Sequence, residues 1–231
     1  MAKVLACIDG SVYSKSVADH AAWAAKRLEA AVEILQVIGR RAASSADRSG
    51  RIVAGSRRQL LEKLAELDAE RAKVMHDKGW LELDEARQQI IDAGVADVTT
   101  ALRHGDLLDT LADRDGDADL VVVGKRGEAA DFATMHLGSN LERILRSSRR
   151  PVLVTSRAHK PIERVMFAFD GRPTAMKAIK AASESAIFKG LHCTVLAVAP
   201  EGTGPARDLA AAAAPLRAAG RTAEARRAGG P

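Results

Sequence analysis

Aromatic residues are scarce in this chain of 231 residues, where Phe, Trp and Tyr together make up 3%. Proteins that bind single-stranded nucleic acid stack bases on aromatic side chains, so this scarcity argues against that class of function. Net charge adds no support for it, because 35 Lys and Arg against 30 Asp and Glu leave only +5. A basic stretch at residues 217–227 accounts for part of this excess, so no nucleic-acid groove is needed to explain it.

The chain also lacks long apolar runs and a cysteine framework. No run approaches the roughly 18 apolar residues of a membrane span, and residues 1–4 lack the features of a signal peptide. The two cysteines, Cys7 and Cys193, lie far apart in the sequence, which fits a reducing compartment better than a disulfide scaffold. We therefore expect a cytoplasmic protein without a membrane segment, whose 47% hydrophobic residues permit a buried core.

What the sequence does contain is an alternation of short apolar runs and helical patterns. Five apolar runs predict buried strands, at residues 3–8, 32–38, 95–102, 120–123 and 151–155. Five helical patterns lie between them, at residues 14–29, 59–75, 81–93, 106–112 and 139–147, with a break predicted at Asp77-Lys78-Gly79. Loops are predicted at residues 40–56 and 124–137. The alternation predicts an α/β domain with a parallel sheet and helices on both faces.

A weak internal repeat follows this domain. Residues 164–171, Arg-Val-Met-Phe-Ala-Phe-Asp-Gly, resemble residues 3–10, Lys-Val-Leu-Ala-Cys-Ile-Asp-Gly, and the similarity continues at the same fixed offset without a gap. We interpret this as a domain duplication, although chance similarity is the alternative. The second copy is expected to hold two strands and two helices, because no apolar run follows Gly220. The predicted organisation is a domain at 1–157, a linker at 158–162, an incomplete second domain at 163–220 and a disordered basic tail at 221–231.

One segment has the features of an anion-binding site. Gly124 and Gly127 follow the predicted fourth strand, and Gly138-Ser139-Asn140 begins the next helix. Glycines let a backbone approach a ligand closely, and the free N–H groups at a helix start favour phosphate. Ligands of open parallel sheets bind at the carboxyl ends of strands, so Asp9, which ends the first strand, is expected nearby if the two strands are neighbours. Ordinary turn glycines and a serine-capped helix remain the alternative.

Other chemistries lack their motifs in this sequence. No G-x-x-x-x-G-K-[ST] phosphate loop is present, and no G-x-G-x-x-G follows the first strand. The six histidines are spread singly, without metal-ligand spacing. Cys7 lies inside a predicted buried strand and is interpreted as a packing residue rather than a reactive thiol. The sequence therefore assigns no catalytic residue and no metal site.

Taken together, these residues resemble the universal stress protein family in its tandem form. Members that bind ATP carry G-x-x-G-x9-G-[ST], which Gly124, Gly127, Gly138 and Ser139 match with ten rather than nine residues between the second and third glycines. Asp9 and the His104-Gly105-Asp106 turn also resemble the family's pattern. The resemblance covers residues 2–157 fully and 163–220 in part, and it implies a five-stranded parallel sheet of order 3-2-1-4-5.

The resemblance implies a stress-response switch that binds ATP, alone or with Mg²⁺. Positions that hold the adenine and ribose are matched by Asp9, Val37 (or its neighbour Ile38) and Val123. Positions that hold the phosphates are matched by Gly124, Gly127, Gly138, Ser139 and Asn140. Turnover of ATP is expected to be slow at most, by hydrolysis or autophosphorylation.

The resemblance also implies a partner, while two other functions stay open. The family pairs copies through the fifth strand, which implies a homodimer through Val152, Leu153 and Val154 and no nucleic-acid or membrane partner. The first alternative function is a dimeric interaction module of the same fold that binds no nucleotide. The second is an adenylyl-transferring enzyme of a related fold, which residues 9–14 disfavour because they supply no glycine-rich loop.

Overall fold

A computed structural model describes residues 2–39, 54–114, 116–127, 139–199 and 204–229. The chain divides into two units, Met1–His159 and Lys160–Pro231. Most of the two predicted loops at 40–56 and 124–137 lies outside the described residues. Among the residues described, no helix has both the length and the apolar character needed to cross a membrane.

The first unit alternates strands and helices along the chain. Its strands are β1 (Lys3–Ile8), β2 (Ala31–Ile38), β3 (Val98–His104), β4 (Leu120–Gly124) and β5 (Val152–Thr155). Its helices are α1 (Ser14–Leu28), α2 (Ala54–Asp92), α3 (Leu107–Arg114) and α4 (Ser139–Ser147). Every pairing is parallel and the strand order is β3-β2-β1-β4-β5, which confirms the predicted sheet.

Helices cover both faces of this sheet, which explains why its strands are nearly continuous apolar runs. On one face α1 packs beside α2, and Val17 and Leu83 are buried there. On the other face α3 and α4 bury Leu111, Leu141 and Ile144 against β1 and β4. The strand ends are left to carry the polar residues, so the carboxyl edge of the sheet is where a site can form.

The helix α2 is continuous from Ala54 to Asp92, so the predicted break at Asp77-Lys78-Gly79 is wrong. Gly79 is buried within the helix. A β-carbon at Gly79 would lie 2.9 Å from Leu102 Cδ1 and 3.5 Å from Ile38 Cδ1. This glycine therefore permits close packing of the helix on β2 and β3, and it does not form a turn.

The second unit repeats the beginning of the first. Its elements are β6 (Arg164–Ala168), α5 (Pro173–Glu184), a short 3-10 turn (Ala186–Phe188), β7 (His192–Val198), α6 (Gly204–Ala218) and β8 (Thr222–Ala228). The three strands are parallel, in the order β6-β7-β8. Lys3 pairs with Ala31 in the first unit, and at the equivalent positions of the second unit Arg164 pairs with His192. The second sheet is thus a partial second copy with the same strand register.

Strand β8 overturns the prediction of a disordered tail after Gly220. All seven residues of Thr222–Ala228 pair with β7, although they form no apolar run and most of them are exposed. Just before β8, Arg221 donates from Nη2 to the carbonyl oxygens of Ser183 and Ser185, at 3.4 and 2.9 Å. An edge strand needs few buried side chains, and charged residues on it discourage pairing with other chains. The basic composition therefore belongs to a protected sheet edge.

Candidate functional site

The turn after β1 is built from its own polar side chains. Asp9, an exposed residue, accepts a hydrogen bond through Oδ1 from the backbone N–H of Ser11 at 3.1 Å. Its own N–H donates to Ser14 Oγ at 3.4 Å, and Ser11 Oγ accepts from the N–H of Tyr13 at 3.2 Å. Gly10 has a φ of +72°, which L side chains rarely adopt. The turn therefore fixes where the Asp9 carboxylate points before α1 begins.

The turn after β4 packs directly against the turn after β1. The two strands are neighbours in the sheet, with Cys7 opposite Val123, so their carboxyl ends meet. A β-carbon at Gly124 would lie 2.8 Å from Tyr13 Cβ and 3.1 Å from the carbonyl oxygen of Arg126. A β-carbon at Gly127 would lie 2.7 Å from Asp9 Oδ2. Only glycine fits at these two positions without displacing a neighbour.

The structure thus brings together Asp9, Gly124 and Gly127, three of the residues that the sequence selects. Gly138 lies outside the described residues, as do the side chains of Ser139 and Asn140, whose backbone begins α4. The half of the motif on β4 can be placed against Asp9, and the half on α4 cannot.

The two valines selected by sequence belong largely to the core. Val123 is 3% exposed, and its side chain packs among Leu5, Cys7 and Val121. Val37 is partly buried and packs on the same cluster, on the face covered by α3 and α4. Val123 can therefore contribute to a ligand site only through its backbone, whereas Val37 keeps some exposed surface.

The His104-Gly105-Asp106 turn after β3 has a structural role. Gly105 donates its N–H to the carbonyl oxygen of Ile38 at 3.1 Å and has a φ of +141°. Asp106 Oδ1 accepts from the N–H groups of Leu108 at 2.8 Å and Asp109 at 3.3 Å. Asp106 therefore caps the start of α3, which stabilises a helix by satisfying free backbone donors.

Sequence reasoning missed two residues at this edge, Tyr13 and Glu82. Tyr13 is buried against Gly124, and the available signal was that it is the only tyrosine in the chain. Glu82 comes from α2, and its carboxylate lies so close to Gly10 that a β-carbon there would collide with it. Glu82 Oε2 accepts from Gln36 Nε2 at 2.6 Å. No sequence signal pointed to Glu82, because α2 is predicted to be broken just before it.

The second unit contains the same turn without its neighbour. Asp170 Oδ1 accepts from the N–H of Arg172 at 2.9 Å, and Gly171 has a φ of +80°, as in the turn at Asp9 and Gly10. In the described part of the chain, β6 pairs only with β7, so no glycine turn is placed beside Asp170 by the sheet. The Asp9 turn faces a glycine turn and the Asp170 turn does not, so comparing the two turns separates the effect of the glycine turn from that of the aspartate.

The histidines and cysteines are candidates for metal ligands and reactive groups. Four of the histidines, which the sequence shows as single residues, form two pairs, His20 with His159 and His76 with His104, with ring centroids 4.7 and 5.7 Å apart. Across the described ranges, no group of three or more His, Cys, Asp or Glu is placed to hold a metal ion. Burial raises the pKa of the Cys7 thiol to about 12, which agrees with its interpretation as a packing residue.

Comparison with known proteins identifies relatives of most of the chain. The model of the Universal stress protein family matches residues 1–156. Universal stress protein Slr1230 of Synechocystis sp. (strain ATCC 27184 / PCC 6803 / Kazusa) is 36% identical over 208 residues, which are 89% of this chain and 72% of that protein.

Solved structures share the fold at lower identity. A universal stress protein from Archaeoglobus fulgidus DSM 4304 matches 99% of this chain and 79% of its own, with a TM-score of 0.68 and 20% identity. Hypothetical protein MJ0577, whose structure was used to assign a biochemical function, matches 69% of this chain and 98% of its own, with a TM-score of 0.50 and 20% identity. At such identities these structures establish the fold alone.

Proposed function

Because this chain belongs to the universal stress protein family, we propose that it binds ATP at the carboxyl ends of β1 and β4. Bound ATP, alone or with Mg²⁺, is the signal of a cytoplasmic stress-response switch. The protein holds the nucleotide rather than turning it over rapidly, with slow hydrolysis or autophosphorylation at most.

The observation that carries this proposal is the contact between Gly127 and Asp9. Gly127, which has no side chain, faces an exposed carboxylate across the gap between two neighbouring strand ends. A carboxylate accepts hydrogen bonds from sugar hydroxyls, and a bare glycine backbone presents N–H donors to phosphate. Both halves of a nucleotide can therefore find partners along one edge of the sheet.

The phosphates are assigned to the glycine turn and to the start of α4. The free N–H groups and the positive dipole end of a helix favour anions, and Ser139 stands at the start of α4. Lys125, exposed in the turn after β4, adds a positive charge on the same side. Gly138, Ser139 and Asn140 complete this proposed phosphate site through backbone N–H groups and one hydroxyl.

A second candidate function is a dimeric interaction module that binds no nucleotide. One observation favours it, the Glu82 carboxylate that lies against Gly10. Its negative charge, which Lys78 Nζ offsets in part from 3.4 Å, opposes phosphate binding beside the turn after β1. A cleft of about 280 Å³ next to it, lined by Ser14, Lys15 and Glu85 among others, is mixed in charge.

Assembly is proposed to follow the family's pattern. β5 is an edge strand of the first sheet, paired with β4 on one side. Its residues Val152, Leu153 and Val154 are only partly buried, and an apolar strand edge favours pairing with another chain. We expect a homodimer in which the β5 strands of two copies lie side by side.

Isothermal titration with ATP tests the proposed site, and the second unit supplies the matched control. Asp9→Ala should weaken ATP binding by roughly tenfold or more, because a hydrogen bond to a charged group is worth about 1.5–3 kcal/mol. Gly127→Ala should also weaken it, because the new β-carbon would displace the Asp9 carboxylate. Asp170→Ala removes the same turn carboxylate where no glycine turn faces it, and it should leave the affinity unchanged. If the wild type gives no binding heat with ATP, the interaction module is the better function. If Asp170→Ala weakens binding as much as Asp9→Ala, the site has been placed at the wrong strand ends.

A further inference from the structure

The first half of α2 extends away from the core that its second half covers. Every residue from 59 to 74 is exposed, whereas Leu83 and Ile90 further along the helix are completely buried. The exposed stretch is rich in leucine, and Leu64 and Leu67 are 46% and 52% exposed. A lone helix of about 15 residues is marginal in water, so most helices are stabilised by packing an apolar face. The described residues supply no such packing here.

The second unit shows that this extension is not needed to build the sheet. In the first unit Val32 of β2 pairs with Val98 of β3, and the equivalent residue of the second unit, Cys193 of β7, pairs with Ala223 of β8. The second unit therefore makes the same parallel crossover with less than half the length of chain. The extra length of the first crossover, which includes the first half of α2, must serve something other than the connection.

The exposed apolar residues follow a heptad pattern. Seven positions alternate in steps of four and three and form what we call the α2 seam: Leu60, Leu64, Leu67, Arg71, Val74, Lys78 and Leu81. The five apolar members are all exposed, by 46% to 61%. A stripe with this spacing on one helix is the pattern that packs knobs into holes on a second helix.

We propose that the α2 seam binds the α2 seam of a second copy of this chain, as an antiparallel two-helix coiled coil. This surface is separate from β5 and does not depend on nucleotide binding. In a parallel pair, each seam residue would face its own counterpart, so Arg71 would face Arg71 and Lys78 would face Lys78. In the antiparallel pair centred near residue 69, Leu64 faces Val74, Arg71 faces Leu67 and Lys78 faces Leu60.

Two favourable charge pairs lie beside the seam in this arrangement. The antiparallel alignment brings Lys63 of one copy to Asp77 of the other, twice by symmetry, whereas Asp68 and Glu70 each face their own counterpart once, near the symmetry axis. It also places Leu61 beside Met75 of the second copy, which adds apolar contact. The long stems of Arg71 and Lys78 can lie along the opposing leucines while their charged ends reach water.

The chain's own undescribed segment between β2 and α2 is a poorer occupant. Residues 40–53 contain only Ile52 and Val53 as large apolar residues, together with three alanines, so they cannot match five apolar seam positions. A second copy places Leu64 opposite Val74 twice and offers Leu60 and Leu67 to the stems of Lys78 and Arg71. The proposal therefore commits to self-association through α2.

Sedimentation equilibrium of the full chain tests the association. Leu64→Glu combined with Val74→Glu should weaken one association step by roughly a hundredfold or more, because residues 64 and 74 face each other and the variant places two like charges together in the seam. Leu145→Glu is the matched control, since Leu145 on α4 is 47% exposed and Leu64 is 46% exposed. A wild type that stays monomeric at hundreds of micromolar, or a seam variant that associates like the control, overturns the proposal.

Disulfide trapping tests the orientation independently of any β5 contact. Both native cysteines are buried, so a single introduced cysteine dominates the reaction. After oxidation, a mixture of Leu64→Cys and Val74→Cys proteins should give mixed covalent dimers. Leu81→Cys alone should not, because the two Leu81 positions lie about 36 Å apart in the antiparallel pair at about 1.5 Å per residue. Covalent dimers of Leu81→Cys would show a parallel pair, and a failure of the Leu64→Cys and Val74→Cys mixture to cross-link would show that the two seams do not meet. Both results overturn the proposal.

Discussion

Gly127→Ala is the most direct test of the contact between the two strand-end turns. The new β-carbon would lie 2.7 Å from Asp9 Oδ2, well inside the 3.4 Å at which ordinary contact begins. Among the described residues beyond its chain neighbours, Asp9 alone has atoms within 4 Å of it. The strain is therefore confined to one carboxylate, which must turn away from its position.

The size of the effect can be worked out from two opposing contributions. Turning the carboxylate breaks the 3.1 Å hydrogen bond from the Ser11 N–H to Asp9 Oδ1, at a cost of about 1 kcal/mol. Alanine also restricts the unfolded chain, which stabilises the fold by about 0.4–1 kcal/mol. We expect Gly127→Ala to change the free energy of unfolding by less than about 1 kcal/mol in the wild-type background. In an Asp9→Ala background only the stabilising contribution remains.

A double-mutant cycle isolates the contact from these single effects. The variant with both Asp9→Ala and Gly127→Ala should be about 1 kcal/mol more stable than the summed effects of the two single substitutions predict, because each substitution alone already removes the same hydrogen bond. Urea unfolding followed by tryptophan fluorescence reports on the first unit alone, since both tryptophans, Trp23 and Trp80, lie there. Gly116→Ala is the control, because a β-carbon at Gly116 meets no atom within 4 Å in the described residues beyond its chain neighbours. Additive single effects, with no coupling between residues 9 and 127, would refute the reasoning.

Three further predictions concern other contacts of the first unit. The pKa of His20 lies below its ordinary 6.5, mainly because the ring is buried. The charge of His159 lowers this pKa further, whereas a backbone hydrogen bond to Ser16 and the charge of Asp19 raise it in part. Folding therefore favours neutral His20, so the melting temperature should fall as the pH drops below about 6.5, and His20→Asn should flatten that dependence. Gly79→Ala should destabilise the unit by about 1–2 kcal/mol in urea unfolding, because the new β-carbon meets Leu102 Cδ1 at 2.9 Å. This is expected even though alanine favours helices more than glycine does. Unchanged or higher stability would contradict the close packing of α2 at Gly79. Burial raises the pKa of the Cys7 thiol to about 12, so Cys7 should resist iodoacetamide in the native protein and react with it in urea. Mass spectrometry of the modified peptide measures the difference, and rapid labelling of the native protein would contradict the burial of Cys7.

The sheet of the first unit was predictable because its strands are buried on both faces. The predicted bounds of the first strand, 3–8, and of the helix at 139–147 match β1 and α4. Continuous apolar runs mark such strands clearly, and the order of strands follows from right-handed crossovers and the family resemblance. The repeat was visible for the same reason, since Lys3 and Arg164 begin strands in the same register.

The elements that were missed depend on contacts between distant residues. Gly79 reads locally as a helix breaker, yet it is the residue that lets α2 approach Leu102. Thr222–Ala228 reads locally as a charged tail, yet pairing with β7 along its whole length makes it a strand. Local composition cannot predict either outcome, because the stabilising partner lies elsewhere in the chain.

The candidate site shows the same division between local and tertiary information. An Asp-Gly turn at the end of a strand was readable from the sequence twice, at Asp9 and at Asp170, and both turns adopt the same hydrogen-bonded form. The turn by itself therefore shapes the entry into a helix, as it does in both units. What distinguishes Asp9 is the glycine turn that β4 carries to within contact distance, an arrangement decided by which strand pairs with β1. If nucleotide binding belongs to the cradle formed by both turns, only the first unit can bind; if it belonged to the aspartate turn alone, the two units would be equivalent.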